Sequence, residues 1–282
     1  MDFAHRPIGV FDSGIGGLTV FHAMKRRLPH ESVIYFGDRA RCPYGDRDPE
    51  EVERFALEIG HYLERLGIKL LVVACNTATA VALPRLQEEL GIEVVGVIEP
   101  GAWQALEASK SGRIGVIGTS VTVSSHAYAH ALRALRPDVS AIEVACPLFV
   151  PLVEQGHVEG ETVESVVRES LQPLLQAHID TLVLGCTHYP LLMPVIRRVL
   201  GPSIRVISSA DATAERVARV LAEQQLEETG SHREPEVCFL TTGDTASLRL
   251  ALATWFGETP EERAVRHVSL PIPVEPMKQT AP

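Results

Sequence analysis

Two cysteines stand in matched settings in this 282-residue chain. Cys75 closes the apolar run 71–74 and precedes Asn76 and Thr77. Cys186 closes the run 182–185 and precedes Thr187 and His188. One displacement of 111 residues carries Leu71 onto Leu182 and Cys75 onto Cys186. Each thiol falls where a strand is expected to give way to a helix, and the N–H groups and dipole of a helix start favour a thiolate. A free thiol titrates near ~8.5, so modest help would make either sulfur a base at neutral pH. A single cysteine in an apolar strand reads most simply as a small buried apolar residue. Two at equivalent positions of two related halves read as chemistry.

The chemistry that suits two such groups is inversion at carbon. One thiolate removes a proton from one face and the other thiol supplies a proton to the opposite face, provided both reach the reacting carbon. An amino-acid α-proton is a very weak acid, so fixed donors must stabilise the charge that develops beside it. Ser13, Asn76, Thr77, Thr119 and Thr187 are the candidates. Asp12 and His188 could each assist a cysteine, by accepting its proton or by holding a substrate ammonium. Asp12 ends an apolar strand and precedes Gly14, Gly16 and Gly17, a turn that lets a ligand approach the backbone at a helix start. The simpler alternative for Asp12 is helix capping. The glycines do not form a dinucleotide fingerprint, because Thr19 takes the sixth position of GIGGLT, and no phosphate-loop lysine follows. No lysine setting suits pyridoxal phosphate, so no cofactor is expected.

Composition narrows the class. The chain is 45% apolar and 22% charged, ordinary for a globular protein with a substantial core. Its net charge of −10 argues against nucleic acid as partner, because phosphate neutralisation needs a basic face; the simple reading is a solvated acidic surface. Cys42, Cys75, Cys146, Cys186 and Cys238 are odd in number and widely spaced. None has zinc-site spacing, so no metal is expected. No signal segment or membrane span is evident. Free thiols in a reducing cytoplasm follow.

The elements that must position these groups alternate. Apolar runs at 8–13, 32–38, 69–75, 93–98, 113–119, 139–145, 181–186, 204–207 and 237–242 read as strands. Helical spacing follows Gly17 and recurs at 50–66, up to about 90, from Pro100, and at 162–176, 191–200, 210–226 and 245–256. The loop after Asp38 turns at Pro43 and Gly45, where Cys42 and Tyr44 could face a pocket, or Tyr44 could simply cover core. The segment 147–156 is apolar and ends in Glu154, Gln155 and Gly156. IGVIGTS from Ile114 repeats IGVFDSG from Ile8 at a displacement of 106, close to the 111 of the cysteine runs. The chain therefore reads as a duplicated α/β unit. The expected fold is α/β, two pseudo-symmetric αβα lobes with mainly parallel sheets and a site in the cleft between them. The expected lobes are 1–98 with 209–270, and 99–208; the proline-containing 271–282 reads as a disordered tail. The halves are chemically unequal: Asp12 aligns with Gly118, and His188 with Thr77.

Several separate motifs then carry a resemblance. FDSGIGGLTV (11–20), YFGD with CPYG (35–45), ACNTATA (74–80), GVIEPGA (96–102), IGVIGT (114–119) and GCTHYP (185–190) occur in the order found in the glutamate racemase family. The chain resembles that cofactor-independent family, which makes D-glutamate for bacterial peptidoglycan, over nearly all its length before the tail. The resemblance implies that Cys75 takes the proton from D-glutamate and Cys186 from L-glutamate. It implies that Asp12 and His188 assist them, with Glu154 a further acidic residue near the site. It implies substrate contacts from Asp12, Ser13, Tyr44, Gly45, Asn76, Thr77, Thr187 and His188, and a homodimer. The N-terminal extension of some members is absent, which puts their regulation by a cell-wall precursor in doubt here. Aspartate racemase shares the thiol logic and is the nearest alternative. A thiol-based binding or redox-sensor protein is a more distant one.

Overall fold

The computed structural model describes residues 3–228 and 234–271. The tail expected to be disordered lies outside the described residues from 272 onward. Ten strands are formed: β1 (Ile8–Asp12), β2 (Val33–Gly37), β3 (Leu70–Val73), β4 (Glu93–Gly96), β5 (Arg113–Gly118), β6 (Ser140–Ala145), β7 (Thr181–Gly185), β8 (Arg205–Ser208), β9 (Val237–Thr241) and β10 (Val265–His267). The helices are α1 (Leu18–Arg27), α2 (Pro49–Arg65), α3 (Asn76–Glu89), α4 (Ile98–Ala108), α5 (Ser120–Ser124), α6 (Ala127–Leu135), α7 (Phe149–Glu154), α8 (Glu161–Gln176), α9 (Met193–Leu200), α10 (Ser209–Glu223) and α11 (Thr245–Phe256).

Among the described residues all strand pairs are parallel. One sheet has the order β10-β9-β2-β1-β3-β4 and the other β6-β5-β7-β8. Parallel strands are covered on both faces and so read as continuous apolar runs. β1, β3 and β7 are buried along their whole length. The first sheet packs Leu18, Phe21, Val217 and Leu248 on one face and Val52, Ile59, Leu63 and Leu86 on the other. The second is covered by Val167, Leu171 and Ile196 on one side and by Ala102, Tyr128 and Leu132 on the other. No helix among the described residues is long and apolar enough to cross a membrane.

The internal repeat is visible in the register of the ladders. Gly9 pairs with Leu71, and Gly115 with Leu182, so the displacements of 106 and 111 meet in equivalent pairs. A side chain at Gly9 would strike Ile68 at 2.6 Å, and one at Gly115 would strike Ile179 at 2.7 Å. The turns entering β3 and β7 match too, with positive φ at Gly67 (82°) and His178 (51°).

Local chemistry accounts for the boundaries. Asp48 caps α2 by accepting the Glu50 N–H at 2.9 Å, and Pro49 fills the first position, where a missing N–H costs nothing. The two cysteine strands end differently from the matched junction expected. α3 opens directly after Cys75, but Cys186 is followed by a turn, then a 3-10 turn at Tyr189–Leu192, and only then α9. Pro194 would interrupt a helix begun at Thr187; in the first turn of α9 it is harmless. The segment after Cys146 coils into α7, while β10 is a three-residue edge strand without an apolar signature.

Below the first sheet, Lys69 and Glu31 form a buried ion pair at 2.6 Å, with side chains 0% and 3% exposed. The ammonium also donates to the carbonyls of Ala4 (2.6 Å) and Leu226 (2.8 Å). Lys69→Ala would leave the Glu31 charge without its partner, so we expect a loss of about 3–5 kcal/mol, read as a lowered denaturation midpoint. Adding Glu31→Gln should recover part of it.

Candidate active site

The ends of the central strands of both sheets converge, as the rule for open parallel sheets requires. Asp12 and Cys75 come from β1 and β3; Thr119 and Cys186 come from β5 and β7. Cys75 is the N-cap of α3: its sulfur accepts the Ala78 N–H at 3.5 Å and donates to Ser13 Oγ at 3.7 Å. The residue is 4% exposed. Burial, followed by the charge of Asp12, pushes its pKa up to about 12, against the lowering effect of Ala78 and Ser13; the charge of Cys186 adds to the rise. The helix start alone therefore does not yield the ready base expected from sequence. It offers one weak N–H···S contact, whereas burial removes all hydration of the thiolate.

Asp12 is fully buried. One oxygen accepts the Gly14 N–H at 2.8 Å and the other the Thr187 hydroxyl at 3.1 Å, a bond between the lobes. It does not cap α1, whose N-cap is Gly17 without a side-chain bond. Asp12 thus acts on Cys75 through its charge.

Cys186 has different company. Its sulfur lies 3.9 Å from His188 Nδ1, and His188 Nε2 lies 2.7 Å from Glu154 Oε1 on α7. Arg39 Nη2 donates to Glu154 Oε2 at 3.4 Å. Burial would lower the His188 pKa, but the hydrogen bonds to Cys186 and Glu154 and their charges outweigh it and raise the value to about 10. Burial would likewise raise the Glu154 carboxyl; its bond to His188, the charges of His188 and Arg39, and the Ile15 N–H hold it below the ordinary range. These partners favour the imidazolium, which would direct one N–H toward the sulfur and one toward the carboxylate.

Between the thiols lies a belt of polar groups. The hydroxyls of Thr77, Thr119 and Thr122 form a ring of contacts at 2.9, 3.0 and 3.3 Å across the lobes. Asn76 accepts the Tyr128 hydroxyl at 2.7 Å, while its buried Nδ2 has no protein partner. Gly45 packs so close to Thr119 that a Cβ would meet the Thr119 side chain at 2.7 Å. Tyr44 is buried, but its hydroxyl is committed to Asp38, which also takes Arg41 at 2.6 Å and Thr242 at 2.7 Å. All twelve site residues named from the sequence thus lie at or beside this junction. Thr122, Tyr128, Asp38 and Arg39 were missed. Thr122 follows Thr119 by the i, i+3 spacing of a helical face, a signal that could have found it; the other three lie outside the cysteine runs.

The lobes can approach because of glycine. A Cβ on Gly16 would lie 2.4 Å from Thr187 Oγ1 and 2.7 Å from both the Thr187 carbonyl carbon and His188 Nδ1. A cavity of about 300 Å³ bounded by Arg39, Cys42, Pro43, Val150, Pro151, Glu154 and Gln155 opens beside Glu154. A larger cavity of about 520 Å³, beside Trp103, contains none of the groups described above.

Two buried thiols stand at the strand ends of a duplicated α/β fold, each with its own hydrogen-bonding partners, the arrangement that cysteine acid/base chemistry requires. The chain belongs to the Asp/Glu/hydantoin racemase family, whose model matches residues 8–217. It is 48% identical over 266 residues to the glutamate racemase of Bacillus cereus, covering 94% of this chain and 98% of that one. The structure of a glutamate racemase isoform from Bacillus anthracis superposes with a TM-score of 0.90 at 42% identity, covering 96% of this chain and all of that one. That of Francisella tularensis glutamate racemase in complex with D-glutamate gives 0.86 at 33% identity, with 96% and 98% covered.

Gly16→Ala should force the two turns apart. We expect turnover to fall by about 10²-fold, with about 1–3 kcal/mol lost from stability; steady-state rates and thermal unfolding check both. For His188, the folded pKa near 10 exceeds the unfolded value of 6.5. Its proton therefore contributes stability fully below pH 6.5, and this is lost as pH rises toward 10. In Glu154→Gln the imidazolium loses its carboxylate, so the His188 titration followed by NMR should move to lower pH, and the alkaline loss of stability with it.

Proposed function

We propose that this protein interconverts L- and D-glutamate in the cytoplasm without a cofactor, supplying D-glutamate for peptidoglycan synthesis, and that it works as a homodimer of two-lobed chains divided at 1–98 with 209–270, and 99–208. The observation that carries the reading is the pair of buried thiols at matched strand ends, with the charge of Cys186 felt at Cys75. Family membership and the glutamate racemase relatives supply the substrate class.

In this reading the substrate α-ammonium sits near Asp12. Its charge offsets the carboxylate that holds the Cys75 proton, so binding favours the thiolate that burial and Asp12 disfavour. Cys75 thiolate takes the α-proton of D-glutamate. The Cys186 thiol gives its proton to the opposite face, leaving L-glutamate, a Cys75 thiol and a Cys186 thiolate beside the His188 imidazolium. The reverse turnover restores the first state. The threonine ring, Ser13 and the free Nδ2 of Asn76 supply donors for the two carboxylates, and burial keeps the developing charge in a site of fixed dipoles. Tyr44 shapes the wall, its hydroxyl being held by Asp38.

Incubation with either enantiomer in D₂O tests this: proton NMR should show loss of the α-proton and circular dichroism should show inversion, with aspartate turned over poorly. Cys75→Ser and Cys186→Ser should each lower racemisation by at least about 10²–10⁴-fold. Full activity in Cys186→Ala would sink the two-base mechanism. Light scattering at working concentration checks the dimer.

A further inference from the structure

Cys42 takes no part in the reaction above, yet it lies against the His188 relay. A Cβ on Gly14 would come within 3.1 Å of Cys42 Sγ, 3.1 Å of Glu154 Oε1 and 3.4 Å of His188 Cε1, so the three side chains converge on one point bordered by bare backbone. Their ligand atoms lie within 4.8 Å of one another, and among the described residues no other three His, Cys, Asp or Glu side chains converge so closely. The cavity of about 300 Å³ reaches both Cys42 and Glu154, which gives a path from outside.

A thiolate, an imidazole and a carboxylate form a donor set suited to zinc-type ions. A tetrahedral ion holds sulfur at about 2.3 Å and nitrogen or oxygen at about 2.0–2.2 Å, so its donors stand roughly 3.5 Å apart. The His188 Nε2–Glu154 Oε1 pair, now at 2.7 Å, must open by about 0.7 Å, and a pair at the 4.8 Å limit must close by about 1.3 Å, for the set to hold one ion. We propose that Cys42, Glu154 and His188 form an inhibitory site for a thiophilic divalent cation such as Zn²⁺.

On binding, the Cys42 S–H and the His188 Nε2–H bonds break heterolytically and both protons pass to solvent. The sulfur, the nitrogen and one Glu154 oxygen each donate a lone pair to the ion, water takes the fourth position, and no electron is transferred. His188 then shows Cys186 only a metal-fixed ring, and Glu154 no longer balances it. Because each turnover uses both thiols, both directions stop. The inhibition rests on the racemase reading; the binding does not.

The test uses Co²⁺ as a coloured probe and Zn²⁺ as the inhibitor, on the reduced full-length protein. The thiolate-to-cobalt absorption band should appear in the native protein and in Cys75→Ser, be displaced by Zn²⁺, and be absent from Cys42→Ser and Cys42→Ala. Cys42→Ser should racemise normally without metal, and the Zn²⁺ concentration for half-inhibition should rise at least about tenfold. A band that survives in both Cys42 variants and vanishes in Cys75→Ser would place the ion on the catalytic thiols and overturn the proposal, as would no band in the native protein. If the band depends on Cys42 but the native protein does not racemise glutamate, the metal site stands and the racemase reading falls.

Discussion

The arrangement depends on a contact in which one partner is bare backbone. Gly16, in the turn after β1, lies against Thr187 and His188 of the other lobe at distances no Cβ would tolerate. That approach lets Asp12 reach Thr187, lets the Ile15 N–H reach Glu154, and closes the ring of threonine hydroxyls. It also takes both thiols out of water, at 4% and 6% exposure. Desolvation then dominates the Cys75 electrostatics, with the charge of Asp12 next.

Duplication supplies two thiols, and divergence makes them unequal. The ladders of both sheets keep equivalent registers. Around those equivalent positions, Cys75 faces a carboxylate and a hydroxyl, whereas Cys186 faces the His188 imidazole backed by Glu154 and Arg39. Burial and Asp12 bias Cys75 toward its protonated form, whereas Cys186 has the His188 ring nitrogen 3.9 Å away.

The last described elements support the site from behind. β9 and β10 widen the first sheet beside β2, and Thr242 at the end of β9 holds both Asp38 and the Ala40 N–H. Ser247 on α11 receives Arg39 at 2.8 Å. The loop carrying Asp38, Arg39 and Cys42 is therefore fixed by a segment some 200 residues away. Arg39, held at that loop, donates across the lobes to Glu154.

The alternation of apolar runs with helical spacing determined the class of fold, because parallel strands buried on both faces must be continuously apolar. The repeated cysteine runs located the chemistry, because strand ends place their last residues together in any such sheet. Residues near those ends, from Ser13 to Thr187, were legible for the same reason. Local pattern could not reveal what only packing decides. β10 is short and forms by pairing with β9, and the helix expected directly after Cys186 yields to a turn that aims His188 at Glu154. The roles of Arg39, Asp38 and Tyr128 depend on contacts spanning 52 to 208 residues of chain. The sign of the Cys75 shift was misjudged for that reason: a helix start is written in neighbouring residues, but complete burial and the charge of Asp12 are properties of the assembled lobes.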